Sequence, residues 1–292
     1  MLKARMNTHS IKKTVVAGLI AAAFAGAASA QSNLVLYGIV DVGVQWNEFG
    51  VNQGTSSAPN FVQESNWGVE SGYQSGSRFG VRGSEGLGGG WSAVFTLEGG
   101  FDVSTGTSSQ GGRLFGRQAW GGFQNARFGT LAMGLIDTPS STTGNFDMFA
   151  AVDPFAGGWG INVIGSTFIA ANSGVSRWDN SIIWASPSWA GFKFAGQYSF
   201  NTNTGETAPS DTNTTAYSLG ASWGWNLLYI AATYDVHQFA STGSRSGVGN
   251  PDEKLFQIGA TFDFKIVKLY GAFANQSNIV SCKSPTSPVI PA

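Results

Sequence analysis

From Leu34 to about Phe273 the chain consists of roughly ten-residue segments in which apolar and polar residues alternate, as in the strands of membrane β-barrels. The connections between these segments are alternately short and long. The short ones lie near 86–88, 125–126, 187–189, 224–226 and 265, and the long polar ones near 48–71, 102–112, 138–176, 201–214 and 240–252. The pattern predicts an all-β fold, a transmembrane antiparallel β-barrel with tight turns at one rim and large loops at the other.

The alternation predicts eleven strands, over 34–47, 72–83, 91–101, 113–123, 128–137, 177–186, 192–200, 215–223, 227–238, 255–264 and 267–274. In the first strand Leu34, Leu36 and Val40 share one face, and Tyr37 and Asp41 share the other. A soluble β-sandwich would show the same period, with the apolar face turned to a shared core. The barrel is favoured because charged residues are only 11% of the chain and because aromatic residues fall near strand ends.

The N-terminus has the features of a secretory signal peptide. Four basic residues precede the apolar stretch Val15 to Ala28, and Ala28-Ser29-Ala30 then resembles a cleavage site. The apolar stretch is shorter than the roughly 20 residues of a membrane-spanning helix, so cleavage is favoured over a retained signal anchor. We therefore expect residues 1–30 to be removed and the mature chain to reside in the lipid of the cell outer membrane.

Charge and residue counts exclude several classes of function. Without the leader, twelve of the sixteen Lys and Arg residues remain against seventeen Asp and Glu, about −5 in all, so no nucleic-acid partner is expected. Cys282 is the only cysteine, and His237, expected to be an exposed polar residue at a strand end, is the only histidine outside the leader. Residues 211–213 and 250–253 could hold calcium weakly, but solvated loop polarity is the favoured interpretation. The chain is not expected to be an enzyme or to carry a cofactor or metal.

Several arginines are predicted to face the barrel interior. Arg78, Gly80 and Arg82 share one face of the second predicted strand. By the same parity, Arg113 and Arg117 face inward beside Ala119 and Gly121, and Arg177 shares its face with Asp179 and Ser181. These residues would form a basic patch on one wall of the lumen. The alternative is that the arginines neutralise Glu85, Glu98 and Asp102 as scattered ion pairs.

The longest internal loop, about 138–176, carries Asp147 and Asp153 among apolar and aromatic residues. Such a loop suits the inside of a barrel better than the outside, so we expect it to fold inward and to present its carboxylates to the arginines. A narrow aqueous slot lined by opposite charges selects solutes by size and charge. The alternative function is a non-conducting barrel that acts as a surface interaction or structural protein of the outer membrane.

Several motifs resemble those of the general diffusion porins of Gram-negative outer membranes. They are Leu36-Tyr37-Gly38-Ile39-Val40-Asp41, residues 77–85, Gly116-Arg117-Gln118-Ala119, Phe128-Gly129-Thr130 and residues 186–192. The resemblance implies a homotrimer of 16-stranded barrels, each with an inward-folded loop, that passes small hydrophilic solutes and ions passively. It also implies that the constriction residues match Arg78, Arg117, Arg177, Asp147 and Asp153. Gly134-Leu135-Ile136 departs from the family's Gly-Arg-Gln.

The C-terminal part departs further from the family pattern. A barrel domain over 31–275 would be followed by a Pro- and Ser-rich tail, 276–292, that is unsuited to a central strand. Single-chain bacterial barrels have an even number of strands, and the family's chains end in an aromatic residue, whereas this chain ends in Ala292. We therefore expect a chain shortened by about five strands, or one that closes as a smaller barrel of ten or eleven strands.

Overall fold

The computed structural model describes residues 33–55, 57–154, 177–202, 213–239 and 252–278. The predicted signal peptide, nearly all of the predicted tail and the part of the long loop after residue 154 lie outside these ranges. Within them, no helix has the length and apolarity that a membrane crossing requires.

Thirteen strands account for most of the described residues. They are β1 (Asn33–Ile39), β2 (Val42–Asn52), β3 (Phe61–Ser71), β4 (Arg78–Gly88), β5 (Trp91–Gly100), β6 (Gln118–Asn125), β7 (Gly129–Asp137), β8 (Arg177–Ala185), β9 (Phe192–Ser199), β10 (Thr215–Trp225), β11 (Leu228–Gln238), β12 (Glu253–Asp263) and β13 (Lys268–Ser277). Two short 3-10 turns lie at Gln110–Gly112 and Ala150–Val152. The predicted all-β class is confirmed.

Eleven of the strands form one antiparallel sheet in the order β1-β4-β5-β6-β7-β8-β9-β10-β11-β12-β13. Because sequence neighbours pair throughout β4 to β13, the connections fall alternately at the two ends of the sheet. The short ones span 89–90, 126–128, 186–191, 226–227 and 264–267 and share one end, as predicted. Tight turns here need left-handed backbone, which Gly89 and Gly90 adopt with φ of 59° and 79°. Within the described residues β1 and β13 are the edge strands.

The region 48–71, predicted to be a loop, instead forms most of a hairpin. The predicted first strand divides at Asp41: β1 pairs with β4, whereas β2 continues away from the main sheet and pairs with β3. The Asp41 carboxylate accepts hydrogen bonds from the backbone N–H groups of Gln74 and Ser75, at 2.9 and 2.7 Å, and so fixes the junction. The hairpin was missed because it is exposed on both faces and is correspondingly rich in polar residues.

Side chains alternate between the two faces of the main sheet. The face that bears buried polar residues is called the inner face, and the opposite one the outer face. Buried inner positions include Thr96, Glu98, Gln118, Ser181, Gln197, Ser199, Ser218, Thr233, Gln257 and Thr261, whereas Leu36, Phe95, Phe123, Trp184, Phe194, Leu219, Phe256, Ile258 and Phe273 are exposed on the outer face. An apolar exposed face and a polar enclosed face are the arrangement of a transmembrane barrel.

An apolar core nevertheless lies on the inner face, where residues 138–154 pack against the strands. Phe146, Met148, Phe149 and Val152 of this segment, hereafter the inner loop, contact Trp120, Ala132, Ile136, Ile183, Ala195 and Ala231. Ile136 belongs to the Gly-Leu-Ile sequence that departs from the porin pattern, and here it is fully buried. The apolar substitution thus faces the inner loop and not water.

Two glycines, Gly220 and Gly259, leave space for the inner loop on the wall formed by β10 and β12. A Cβ on Gly259 would lie 2.5 Å from Val152 Cγ1, and one on Gly220 would lie 2.7 Å from Pro139 Cβ. Tyr229 of β11 adds a hydrogen bond of 2.8 Å from its hydroxyl to the carbonyl of Met148. The loop is therefore held by close packing against a recessed backbone.

Candidate functional site

Strand β4 places Arg78 and Arg82 on the inner face. Gly80, between them, pairs with Glu98 of β5, and Arg82 pairs with Thr96. Thr96 and Glu98 are buried beneath the inner loop, so the arginines on the same face are directed to the same side of the sheet.

Glu98 is the centre of the charge cluster, and it was named at the sequence level only as a partner for scattered ion pairs. Its Oε1 accepts a hydrogen bond of 2.5 Å from Nε of Arg117, and its Oε2 lies 3.7 Å from Nε of Arg78. The Tyr37 hydroxyl donates to the same Oε2 at 2.9 Å. One buried carboxylate thereby holds two arginines and a tyrosine.

The side chain of Arg117 lies on the inner face, although the alternation of residues along β6 does not place it there. The expectation that Ala119 and Gly121 face inward is wrong, because Gln118 and Trp120 are buried and pair with Glu98 and Thr96. Arg117 precedes the first ladder residue of β6, so the alternation does not extend to it. Its backbone N–H bonds to the carbonyl of Glu98 at 3.1 Å, and its side chain turns to the carboxylate of the same residue.

The guanidinium of Arg113 lies apart from this cluster. It forms a bidentate pair with Asp179, with nitrogen–oxygen distances of 2.7 and 2.6 Å, and this hydrogen-bonded pair raises the pKa of Arg113. The pair joins the β5–β6 connection to β8. Arg113 was expected on the same wall as Arg78, and the structure instead gives it a separate partner.

Arg177, at the start of β8, contacts the inner loop, and its Nη2 donates to the Thr143 hydroxyl at 3.1 Å. The strict alternation predicted for Arg177, Asp179 and Ser181 is broken by Asn180, which has a φ of 48°. A register shift of the β7–β8 ladder lies at the same level, and both Trp178 and Ser181 are buried. A bulge thus changes the direction of the first residues of β8.

A cavity of about 340 Å³ separates the inner loop from Arg78, Arg82 and Arg117, which are hereafter called the arginine wall. Arg78, Arg82, Arg117 and Glu98 line it from the sheet, and residues 142–145 and Asp147 line it from the loop. Asp153 is not among its lining residues. Instead Asp153 is buried at the end of the 3-10 turn, where its N–H bonds to the Phe149 carbonyl at 3.2 Å.

The Asp147 carboxyl group is largely withdrawn from water. Burial raises the pKa of Asp147 to about 7, and the negative charge of Asp137 contributes in the same direction. The charge of this cavity therefore changes near neutral pH.

Asp137 anchors the inner loop, a role that sequence reasoning missed. Its two carboxylate oxygens accept hydrogen bonds from the backbone N–H groups of Asn145 and Phe146, at 3.1 and 2.8 Å. Gly144 permits the close approach, because a Cβ there would lie 2.0 Å from Asp137 Cγ and because its φ is 146°. The combination of Asp137 with a glycine seven positions later was the available sequence signal.

Arg82 forms no ion pair with a carboxylate among the described residues, unlike Arg78, Arg117 and Arg113. The ion pairs within the described ranges join Arg78 and Arg117 to Glu98 and Arg113 to Asp179. The guanidinium carbon of Arg82 instead lies 5.5 Å from the centre of the Tyr37 ring. Arg82 is exposed to the inner space and carries a charge that no described carboxylate offsets.

His237 is buried, which corrects the expectation of an exposed residue. Its ring meets the Trp178 ring edge-on, with centroids 5.1 Å apart and planes at 86°. It is enclosed because β8 and β11 both direct aromatic residues to the inner face at this level. Among the described residues, no group of three or more His, Cys, Asp or Glu side chains is placed to hold a metal ion.

Comparison with protein families gives a match to the Gram-negative porin family over residues 17–285. The chain is 36% identical over 279 residues to an outer membrane porin protein of Bordetella pertussis, covering 92% of this chain and 70% of that protein. It is 30% identical over 273 residues to outer membrane porin protein 32 of Delftia acidovorans, covering 89% of this chain and 68% of that protein.

Solved structures show the same fold. An anion-selective porin from Comamonas acidovorans matches with a TM-score of 0.59 and 24% identity, over 84% of this chain and 68% of that one. A Salmonella typhi OmpF structure matches with a TM-score of 0.55 and 15% identity, over 83% and 65% of the two chains. The chain therefore belongs to the Gram-negative porin family and is an outer-membrane channel protein, not an enzyme.

Proposed function

We propose that the inner loop narrows the channel against the arginine wall and that this slot passes small hydrophilic solutes and ions with a preference for anions. The proposal rests on one observation, the cavity of about 340 Å³ in which Arg78, Arg82 and Arg117 face the inner loop. The three arginines outnumber Glu98 and Asp147, the carboxylates that line the same space.

The positions of the ion pairs support an anion preference. Glu98 is shared by two arginines, and Arg82 has no described carboxylate to offset it, so the slot carries excess positive charge. In a constricted, low-dielectric space a fixed cation attracts anions and repels cations more strongly than it does in bulk water. The structurally similar Comamonas acidovorans porin is described as anion-selective, which agrees with this proposal.

The test is the reversal potential of the purified protein in planar bilayers under a potassium chloride gradient. We expect an anion-selective value, and we expect Arg82→Gln to move it toward cation selectivity. Arg127→Gln is the matched control, because Arg127 lies in the β6–β7 turn and makes its ring contact with Phe128 there. A cation-selective parent protein, or equal values for Arg82→Gln and the parent, would refute the proposal. Bilayers without channels would support the non-conducting alternative.

We further propose that the chain assembles as a homotrimer in outer-membrane lipid, as porins of this family typically do. The exposed apolar outer face provides the surface for lipid and for neighbouring copies. Unboiled and boiled samples of isolated outer membranes, compared on a denaturing gel, test the assembly. A slow, heat-sensitive trimer band is expected, and a single monomer band in both lanes would contradict it.

A further inference from the structure

A second cavity, of about 430 Å³, lies on the inner face beside the arginine slot. The two cavities share Arg82 and Asn145 in their linings, so they adjoin along the wall. Its volume falls within the range of about 300 to 1,000 Å³ that is typical of small-molecule pockets. It is therefore large enough to hold a small organic solute.

Two aromatic rings form part of this second cavity. Trp120 of β6 and Phe146 of the inner loop lie with ring centroids 5.1 Å apart and planes at 58°. Trp120 Nε1 donates to Gln118 Oε1 at 2.9 Å, which fixes the indole. Rings prefer such tilted or offset contacts at centroid separations of about 4.5 to 7 Å, so a third ring can extend the pair.

Among the described residues, the charge in the lining of the second cavity comes from Arg82 alone. Arg82 has no carboxylate partner within the described ranges. Asn145 adds a positioned amide, because its Nδ2 donates to the Thr96 hydroxyl at 3.2 Å. The lining thus combines apolar rings, one unopposed guanidinium and fixed polar groups.

We propose that this cavity is a binding site for aromatic carboxylates, with the ring against Trp120 and Phe146 and the carboxylate on Arg82. The inference rests on the proposed function, since it assigns a solute class to the same channel. The guanidinium fork matches a planar carboxylate, and a negatively charged ligand would balance the charge of Arg82, which no described carboxylate offsets. An aliphatic carboxylate lacks the ring contact, and a neutral aromatic amide lacks the ion pair.

The test measures chloride current through single channels in the presence of benzoate, acetate or benzamide. Benzoate is expected to reduce the current at concentrations at which acetate and benzamide have no effect. Arg82→Gln and Phe146→Leu should each weaken the benzoate effect about tenfold. Arg82→Gln removes the partner of the ligand carboxylate, and Phe146→Leu removes a ring that contacts the ligand ring. Arg127→Gln is the control and should behave as the parent protein does. A heat-shift gel establishes that each variant is folded.

Equal blocking by benzoate and acetate, or by benzoate and benzamide, would overturn the inference while leaving the channel function intact. An unchanged benzoate effect in both Arg82→Gln and Phe146→Leu would overturn it as well. Calorimetric titration of the detergent-solubilised protein with benzoate provides a readout that is independent of conduction. Benzoate binding by a protein that conducts no chloride would refute the proposed function and support this site.

Discussion

Glu98 accepts a hydrogen bond of 2.5 Å from Arg117 across the β5–β6 connection, although both residues lie almost entirely out of contact with water. Among the described residues, the same carboxylate is the one that forms an ion pair with Arg78, at 3.7 Å. The stability of the arginine wall therefore depends on Glu98, and the charge of the slot depends on Glu98 together with Asp147.

Replacement of Glu98 by Gln should both destabilise the protein and increase anion selectivity. Removal of one partner of a buried ion pair leaves the other charge uncompensated, at a cost of about 3 kcal/mol or more. The heat-shift temperature on a denaturing gel measures the first effect, and the reversal potential measures the second. Glu85→Gln is the control, since Glu85 is exposed at the far end of β4. An unchanged heat-shift temperature would show that water, and not Glu98, solvates the two arginines.

Gly259→Ala should displace the inner loop and increase single-channel conductance. The added methyl group would lie 2.5 Å from Val152 Cγ1 and 3.3 Å from the Phe149 ring, which is closer than packed atoms approach. Gly271→Ala, in the neighbouring strand, is the control, because its Cβ would meet nothing within 4 Å. Single-channel recordings decide the matter, and equal conductance in the two variants would mean that the loop adjusts without leaving the wall.

Anion selectivity should increase as the pH falls through about 7. The pKa of Asp147 is raised to about 7, mainly by burial, so the carboxylate is charged above that pH and neutral below it. Neutralisation removes one of the two carboxylates that oppose Arg78, Arg82 and Arg117 in the slot. Reversal potentials at about pH 6 and pH 8 measure the change.

Asp147→Asn should abolish this pH dependence and hold the selectivity near the low-pH value of the parent protein. Asp102→Asn is a suitable control, because the Asp102 carboxylate lies in the β5–β6 connection and accepts its hydrogen bonds from Ser104 and Thr105. A pH dependence that persisted in Asp147→Asn would assign the titration to another group.

Asp179→Asn should release the β5–β6 connection without unfolding the barrel. The pair with Arg113 is bidentate, but the arginine side chain is 46% exposed, so the loss of stability should be below about 1 kcal/mol. Limited proteolysis in the connection, residues 101–117, should become faster because its link to β8 is lost. Equal cleavage rates in the variant and the parent protein would show that the other contacts of the connection hold it in place.

The order of the strands and the face to which each side chain points were predictable. The alternation of residues such as Phe194 and Gln197 has a single physical cause, because one face of the sheet meets lipid and the other meets an enclosed interior. The eleven predicted strands correspond to the eleven strands of the main sheet, whereas the described residues contain thirteen strands in all. The β2–β3 hairpin was missed because it extends beyond that environment and has no buried face to impose the same contrast on its sequence.

The positions of the individual site residues were less predictable, because they depend on contacts that the alternation of side chains along a strand does not describe. Arg117 lies before its ladder begins, and the bulge at Asn180 redirects Arg177. The rule that large apolar residues face outward fails at Trp120 and Ile136, because the inner loop covers them. That loop packing is a tertiary contact between distant segments, and no single strand carries its pattern.

The recessed glycines of β10 and β12 have a consequence for how such channels diversify. On the proposed function, the bore depends on how closely the Pro139 and Val152 side chains of the inner loop approach Gly220 and Gly259. These two glycines contribute no side chain to the lipid-facing surface. A change of one methyl group at either position would alter the aperture while the membrane-facing residues stay the same. Solute size limits can thus evolve in small steps, independently of the lipid to which the barrel is adapted.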